Sequence, residues 1–138
     1  MDAPISPMQV DHSCACDPRT EDLVRAMLVR LADKWTLQTI EILADGEMRF
    51  SRLRERLGGI SQKMLTQTLR QLERDGLVTR HVHPVVPPHV DYRLTPLGAS
   101  LGEAICTLWI WADEHCDTID RARLAFDRQA RSRSHEPA

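Results

Sequence analysis

The sequence predicts a mainly α-helical chain with a small β-hairpin, an α+β class with helices on both sides of the hairpin. Three observations carry this prediction. Apolar residues recur at three- and four-residue spacings in several separate stretches, which is the helical period. Two strand-like segments, 77–83 and 90–94, flank a loop rich in proline. Thr95-Pro96, a cap followed by proline, then opens a long amphipathic segment.

Length and charge restrict the function. A chain of 138 residues is enough for one compact domain with tails, but short for an enzyme with separate cofactor and substrate subdomains. The net charge is −2, yet residues 49–80 hold eight Lys and Arg residues against three Asp and Glu residues. This local excess of positive charge predicts one basic face suited to a polyanion.

The N-terminal region lacks the features of a targeting segment. Residues 1–18 are rich in Pro, Asp and Ser and show no periodicity, which predicts a flexible arm. No leader pattern and no membrane-length apolar stretch occurs, so we expect a cytoplasmic protein without a membrane partner. The four cysteines form two distant pairs, which indicates reduced thiols rather than a disulfide scaffold.

The arm contains His12, Cys14 and Cys16 within five residues. Zinc normally takes four ligands, and Cys-x-Cys is tighter than the usual zinc knuckle, so we assign no metal and no other cofactor. A redox role for Cys14 and Cys16 is favoured over a metal site, because an exposed thiol on an arm can be oxidised. The alternative is that both are ordinary tail cysteines.

Capping residues divide the next part of the chain into helices. Thr20 is expected to cap a first helix and Asp33 a second, whose apolar residues on several sides place it deep in the core. Residues 48–50 fit a short edge strand, and Ser51 is expected to cap a third helix. Inside that third helix, Leu53 and Leu57 face inward.

The fourth helix follows the Gly58-Gly59 turn, with Ser61 as its cap and Gly76 as its end. Its predicted inward face consists of Met64, Leu65, Leu69 and Leu72. The opposite face carries side chains that can bind base edges or phosphates, namely Gln62, Lys63, Thr66, Gln67, Arg70 and Arg74. Two short helices joined by a glycine turn predict a helix-turn-helix, with the second as the recognition helix.

The hairpin after this helix predicts a wing. Leu77 to His83 has strand composition, residues 84–88 form a stiff loop, and Val90 to Leu94 alternates as a return strand. His83, His89 and Arg93 could present hydrogen-bonding or cationic groups to the DNA backbone or minor groove. The combined prediction is a winged helix-turn-helix.

The segment after Pro96 carries more apolar and aromatic surface than a single winged unit needs. It suggests a homodimer seam formed with the first helix, so the N- and C-terminal helices would serve dimerisation. The alternative is that it covers its own domain. The residues expected at the seam are Leu23, Met27, Ile105, Leu108, Trp109 and Ala112.

Residues between Lys34 and Trp111 resemble the HxlR family of bacterial winged helix-turn-helix regulators. The matching motifs are Lys34-Trp35, Gly46-x2-Arg49-Phe50-Ser51-x-Leu53, Gly59-Ile60-Ser61-Gln62-Lys63, Leu65-Thr66-Gln67-Thr68-Leu69-Arg70-x-Leu72-Glu73-x-Asp75-Gly76-Leu77-Val78-x-Arg80, Val86-Pro87-Pro88-x-Val90-x-Tyr92-x-Leu94-Thr95-x2-Gly98, and Trp111. They cover more than half of the chain, and their ordered series is far more specific than a generic helix-turn-helix match.

The resemblance implies a homodimer that binds a pseudo-palindromic operator in double-stranded DNA, with half-sites about one helical turn, roughly 34 Å, apart. We accordingly expect a DNA-binding and dimerisation domain over residues 19–120, with a helix extension and tail over 121–138. The residues expected at DNA are Arg49, Ser51, Ser61, Gln62, Lys63, Thr66, Gln67, Arg70, Arg74, Arg80, Pro87, Pro88 and His89.

Members of this family often sense oxidants, quinones or aldehydes through a cysteine shortly before the Lys-Trp pair. This chain departs from that pattern, since Asp22 lies at the common spacing and Cys16 lies earlier. Either thiol oxidation or a small-molecule effector could therefore be the signal. Two other classes of function are an enzyme using Cys106, His115 and Cys116, which no nucleophile or phosphate-loop motif supports, and a protein-interaction module. We assign no catalytic residues.

Overall fold

The computed structural model describes residues 17–134, and within them it has the winged helix-turn-helix architecture that the sequence predicted. The helices are α1 (Pro18–Ala32), α2 (Lys34–Leu43), α3 (Phe50–Leu57), α4 (Gln62–Arg74) and α5 (Pro96–Ser134). The strands are β1 (Met48–Arg49), β2 (Val78–His83) and β3 (His89–Leu94). They form one antiparallel sheet of order β1-β3-β2, so β1 is an edge strand as predicted.

Three predicted caps are confirmed. The carboxylate of Asp33 accepts a hydrogen bond from the Trp35 amide at 3.1 Å, and the Ser61 hydroxyl accepts one from the Met64 amide at 3.1 Å. Thr95 Oγ1 accepts a hydrogen bond from the Gly98 amide at 3.0 Å. Each cap satisfies an amide that has no partner within its own helix, so α2, α4 and α5 begin where the sequence indicates.

Two other predicted caps are wrong. Helix α1 is capped by Asp17, whose side chain accepts from the Arg19 amide, and Pro18 is the first helical residue, so Thr20 lies inside the helix. Helix α3 begins at Phe50 with Arg49 before it and without a side-chain cap. Pairing of Arg49 with Asp91 holds Arg49 extended until the helix starts, which leaves Ser51 inside the first turn.

The core lies between α2, α3, α4 and the sheet. On α4 the inward residues Leu65, Leu69 and Leu72 are each at most 1% exposed, as predicted. Met64 is 41% exposed, so its placement on the inward face is wrong, and Thr68, 5% exposed, is buried instead. The remaining buried apolar residues are Ile40, Leu43, Leu53, Leu57, Ile60, Leu77, Val78, Tyr92 and Ile105.

Helix α5 begins against the end of α4. Thr95 Oγ1 donates to the Gly76 carbonyl at 2.6 Å, and the Thr95 amide donates to the Leu77 carbonyl at 3.0 Å. Helix α5 continues to Ser134, through the region where the sequence indicated a helix extension. None of the helices in the described part of the chain is apolar over a length that could cross a membrane.

The two helices expected to form a dimer seam differ in how much the protomer buries them. Helix α1 has no buried residue. Ile105 of α5 is 4% exposed and belongs to the core of its own chain, so the protomer leaves little of this predicted seam residue exposed. Of the other residues predicted at the seam, Leu23, Leu108 and Trp109 are each more than half exposed, and Met27 and Ala112 are half-buried.

Candidate nucleic-acid interface

The turn between α3 and α4 fixes the direction of α4. Gly58 and Gly59 have φ values of 52° and 88°, in the left-handed region that side chains other than glycine rarely adopt. Ile60 then enters the core, and its carbonyl accepts a hydrogen bond from Arg54 Nε at 3.3 Å. Helix α4 is thus anchored at its start by an apolar side chain, a bond to α3 and the Ser61 cap.

The outward face of α4 is polar along its whole length. Thr66 is half-buried, and the other predicted base- or phosphate-binding residues are exposed, namely Gln62, Lys63, Gln67, Arg70 and Arg74. This face combines the hydrogen-bonding groups of Gln and Thr side chains with the positive charges of Lys and Arg side chains. Such a composition is suited to binding base edges and phosphates in a major groove.

An open groove of about 810 Å³ runs between α4 and the wing. Among the described residues, Glu73 is the one acidic residue that lines it, and Phe50, Leu69 and Tyr92 contribute apolar or aromatic lining. Most residues that the sequence analysis placed at DNA line it, namely Arg49, Ser51, Gln62, Thr66, Arg70, Arg80, Pro87, Pro88 and His89. Lys63, Gln67 and Arg74 lie on the adjoining surface of α4, and Ser61 faces the α3–α4 turn.

The wing is a hairpin with two different faces. Val78 and Tyr92 point into the core, and Arg80, which is paired with Tyr92, lies at the margin of the groove. The loop at the tip is apolar, with Val85 and Val86 52% and 99% exposed. The tip therefore offers apolar and proline contacts, and positive charge comes from Arg80 nearer the base of the hairpin.

The other face of the hairpin holds a cluster that the sequence analysis missed. His83 pairs with His89 across the strands, and His81 pairs with Asp91. His83 Nε2 lies 2.7 Å from Asp91 Oδ2, and the His83 and His89 rings are stacked with centroids 4.4 Å apart. The sequence analysis considered His83 and His89 as separate DNA-contact candidates, because only the strand register shows that they share a face with Asp91.

A contact between α1 and α4 was also not predicted. Arg30 Nε lies 3.1 Å from Asp75 Oδ2, with each side chain 22% exposed. The angle is unfavourable for a hydrogen bond, and buried Arg30 Nη1 finds no hydrogen-bond partner within residues 17–134. The contact is therefore an ion pair that joins the last turn of α1 to the C-terminal cap of α4.

The candidate redox residues Cys14 and Cys16 lie outside the described residues. Cys106 and Cys116 of α5 are exposed free thiols. Cys116 Sγ lies 3.6 Å from the Asp113 carbonyl and His115 Nδ1 lies 2.7 Å from the Trp111 carbonyl, so both side chains contact the preceding turn of their own helix.

Comparisons with known proteins agree with this geometry. The model of the family described as HxlR-like helix-turn-helix matches residues 30–120. The HTH-type transcriptional regulator YtfH of Escherichia coli is 44% identical over 89 residues, which cover 64% of this chain and 71% of that protein.

Two similar solved structures are of regulators in a reduced or an oxidised form. The reduced form of the regulator YodB from Bacillus subtilis has a TM-score of 0.63 and 34% identity, over 74% of this chain and 96% of that one. The redox regulator HypR in its oxidised form has a TM-score of 0.59 and 36% identity, over 66% of this chain and 94% of that one. The relatives are thus named as transcriptional regulators rather than enzymes.

Proposed function

Because the chain belongs to the HxlR-like helix-turn-helix family and is a transcriptional regulator of that fold, we propose that it acts as a homodimer on a pseudo-palindromic operator. Helix α4 would enter the major groove of each half-site, and the wing would contact the adjacent backbone or minor groove. The protein would be cytoplasmic, with double-stranded DNA and a second copy of the chain as its partners.

The observation that carries this proposal is the groove between α4 and the wing. Its walls bring together Arg49, Arg70 and Arg80 from three different elements, β1, α4 and β2. Gln62 and Thr66 line the same groove and can bind base edges. Phosphate contacts from the arginines would set the register, and the α4 side chains would supply sequence specificity.

Arg70→Ala should weaken binding to the cognate operator by about 1–3 kcal/mol, the discrimination that one bidentate base contact contributes. Gln67→Ala should act in the same direction. The measurement is fluorescence anisotropy with the DNA upstream of the chain's own gene, at several salt concentrations. Because Arg70 is exposed on α4, the variant should fold normally.

Arg128→Ala is the matched control, because Arg128 is an exposed arginine near the far end of α5. It removes the same charge, so it should leave operator affinity within about 0.5 kcal/mol of the unsubstituted chain. The proposal fails if the unsubstituted chain shows no salt-sensitive binding to that region or to genomic DNA fragments.

The homodimer is supported by apolar surface that the protomer leaves uncovered. On α1, Leu23, Leu28 and Val29 are 57–77% exposed, and residues 108–111 of α5 are each 51–64% exposed. Trp109 is held in place by a hydrogen bond from its Nε1 to Glu41 Oε1 at 2.6 Å. So many exposed large apolar side chains favour a protein interface.

For the signal, we propose thiol oxidation, supported by the similarity to the reduced form of YodB and to the redox regulator HypR and by the Cys14-Ala-Cys16 sequence. A thiol oxidant should change operator affinity, and Cys14→Ser with Cys16→Ser should abolish the change. Cys106→Ser with Cys116→Ser is the control for the two exposed thiols of α5. An unaltered response in the N-terminal double variant would reject Cys14 and Cys16 as the sensing residues. If the oxidant does not change the operator affinity of the unsubstituted chain either, a non-redox small-molecule effector is favoured.

A further inference from the structure

The wing carries a group of side chains of which only His89 belongs to the residues expected at DNA. Two cross-strand pairs, His83 with His89 and His81 with Asp91, are separated by one pair and therefore stand on the same face of the β2–β3 hairpin. Residues paired directly across an antiparallel ladder have neighbouring side chains, so the four groups form a compact patch. We propose that this patch is a binding site for a divalent transition-metal ion of the Zn²⁺ class.

Distances within the patch fit a metal site. One ligand atom each from His83, His89 and Asp91 lies within 4.8 Å of the other two. Tetrahedral zinc with bonds of about 2.0–2.1 Å holds its ligand atoms about 3.3 Å apart, so small side-chain rotations bring these three into position. All three residues are half-buried, which limits their rotamer freedom and leaves an approach from solvent.

The donor set selects the type of metal. Two imidazoles and one carboxylate suit Zn²⁺, Co²⁺, Ni²⁺ or Cu²⁺, whereas Mg²⁺ and Ca²⁺ prefer all-oxygen sites. His83 Nε2 and Asp91 Oδ2 lie 2.7 Å apart in a hydrogen bond, and an ion that bound both atoms would replace the hydrogen between them. The His81 ring lies 4.6 Å from the His83 ring, centroid to centroid, so His81 or a water molecule can take the fourth position.

Two positively charged residues near the patch limit its affinity for a metal ion. Arg49 pairs with Asp91 from β1, and Arg93 pairs with Thr79 at the base of the same hairpin, so two cations flank the site. Their charge opposes a divalent ion, and we therefore expect binding weaker than in closed structural zinc sites. The site would suit an ion that is exchanged rather than one held permanently.

The test is calorimetric titration of the full, untagged chain with Zn²⁺ and visible absorption with Co²⁺. Cys14→Ser with Cys16→Ser serves as the background, so that the N-terminal thiols cannot bind the metal. One ion per chain should bind, and the Co²⁺ spectrum should lack thiolate charge-transfer bands. His83→Ala and His89→Ala should each reduce affinity at least tenfold, since even outer-shell substitutions commonly cost about 10–100-fold.

His115→Ala is the matched control, because His115 stacks on Trp111 of α5, away from the wing. The His115→Ala variant should bind the metal with the affinity of the background chain. If His81 supplies the fourth ligand, His81→Ala should reduce the metal affinity by less than His83→Ala or His89→Ala does. The inference is overturned if the His83→Ala, His89→Ala double variant keeps the background affinity and stoichiometry. It is also overturned if the background chain binds Zn²⁺ only with a dissociation constant above about 1 mM.

A consequence for DNA binding rests on the proposed function. A metal ion at His83, His89 and Asp91 would add positive charge and join the two wing strands beside the groove that His89 also lines. Zn²⁺ should therefore tighten operator binding in the background chain but not in His83→Ala. Metal binding without this change would reject the coupling but keep the site, and a chain that binds no DNA at all would contradict the proposed function alone.

Discussion

Gly98→Ala is expected to destabilise the fold by about 3 kcal/mol, at the upper end of the usual cost of overpacking. A Cβ at this position would lie 2.1 Å from the Leu77 carbonyl oxygen and 3.1 Å from Leu94 Cδ2. The Leu77 carbonyl cannot easily move, because it accepts the Thr95 amide at 3.0 Å. Backbone at the junction of β2, β3 and α5 would have to separate to admit one methyl group.

The measurement is thermal and urea unfolding followed by circular dichroism at equal protomer concentration, since association also changes apparent stability. A loss of about 3 kcal/mol corresponds to a fall of roughly 10 °C in the midpoint for a chain of this size. Gly102→Ala is the matched control. Its Cβ would have only Ile40 Cγ2 near it, at 4.0 Å, so helix propensity should make the change neutral or stabilising by up to about 1 kcal/mol. Equal midpoints for the two variants would contradict the close-approach explanation.

Leu108→Glu is expected to convert the proposed dimer into a monomer. Leu108 is 64% exposed in the protomer and lies in the stretch 108–111, where four apolar residues follow one another around α5. A carboxylate buried there without a partner would lose its hydration, which costs far more than an apolar contact contributes. Light scattering should give a mass near 15.8 kDa for the variant and about twice that for the unsubstituted chain. Operator affinity should fall roughly 100-fold as the two half-sites lose their linkage.

Val82→Glu is the control for this experiment, because Val82 is a 47% exposed apolar residue on the wing, where the proposed seam does not extend. Its mass should equal that of the unsubstituted chain. A Leu108→Glu variant that keeps the dimer mass would contradict the placement of the seam. A monomeric unsubstituted chain would instead favour an interaction module that binds a different partner through α5.

Much of the fold was predictable because its boundaries are local. Asp33, Ser61 and Thr95 each accept an amide two or three residues later, so a short stretch of sequence is enough to identify them. The same cap-and-proline pattern as Thr95-Pro96 occurs at Asp17-Pro18, and there the sequence analysis overlooked it in favour of Thr20. The start of α3 was harder to predict from the sequence, because it depends on the pairing of β1 with a strand more than 40 residues later.

Met64 of α4 was predicted on the inward face because its side chain is apolar, and that placement was wrong. Successive helical residues are about 100° apart, so Met64 lies about 100° from Leu65 around the helix, whereas Thr68 lies only about 60° from Leu65 and about 40° from Leu72. Thr68 is therefore buried although it is polar, and Met64 is exposed although it is apolar. For the candidate site, the residues facing outward from α4 followed from periodicity, but the groove required the wing to fold back beside α4. The His and Asp patch required a strand register that composition does not specify.

The ion pair between Arg30 and Asp75 connects α1 to α4, the proposed recognition helix. Asp75 is the C-terminal cap of α4, and α1 follows Cys14 and Cys16 closely in sequence. A tilt of α1 would therefore pull on the far end of α4, and in a symmetric dimer it would do so on both copies at once. In the proposed dimer, the distance between the two α4 helices would then depend on the positions of the two α1 helices. An effector could change that distance without contacting the DNA-facing surface.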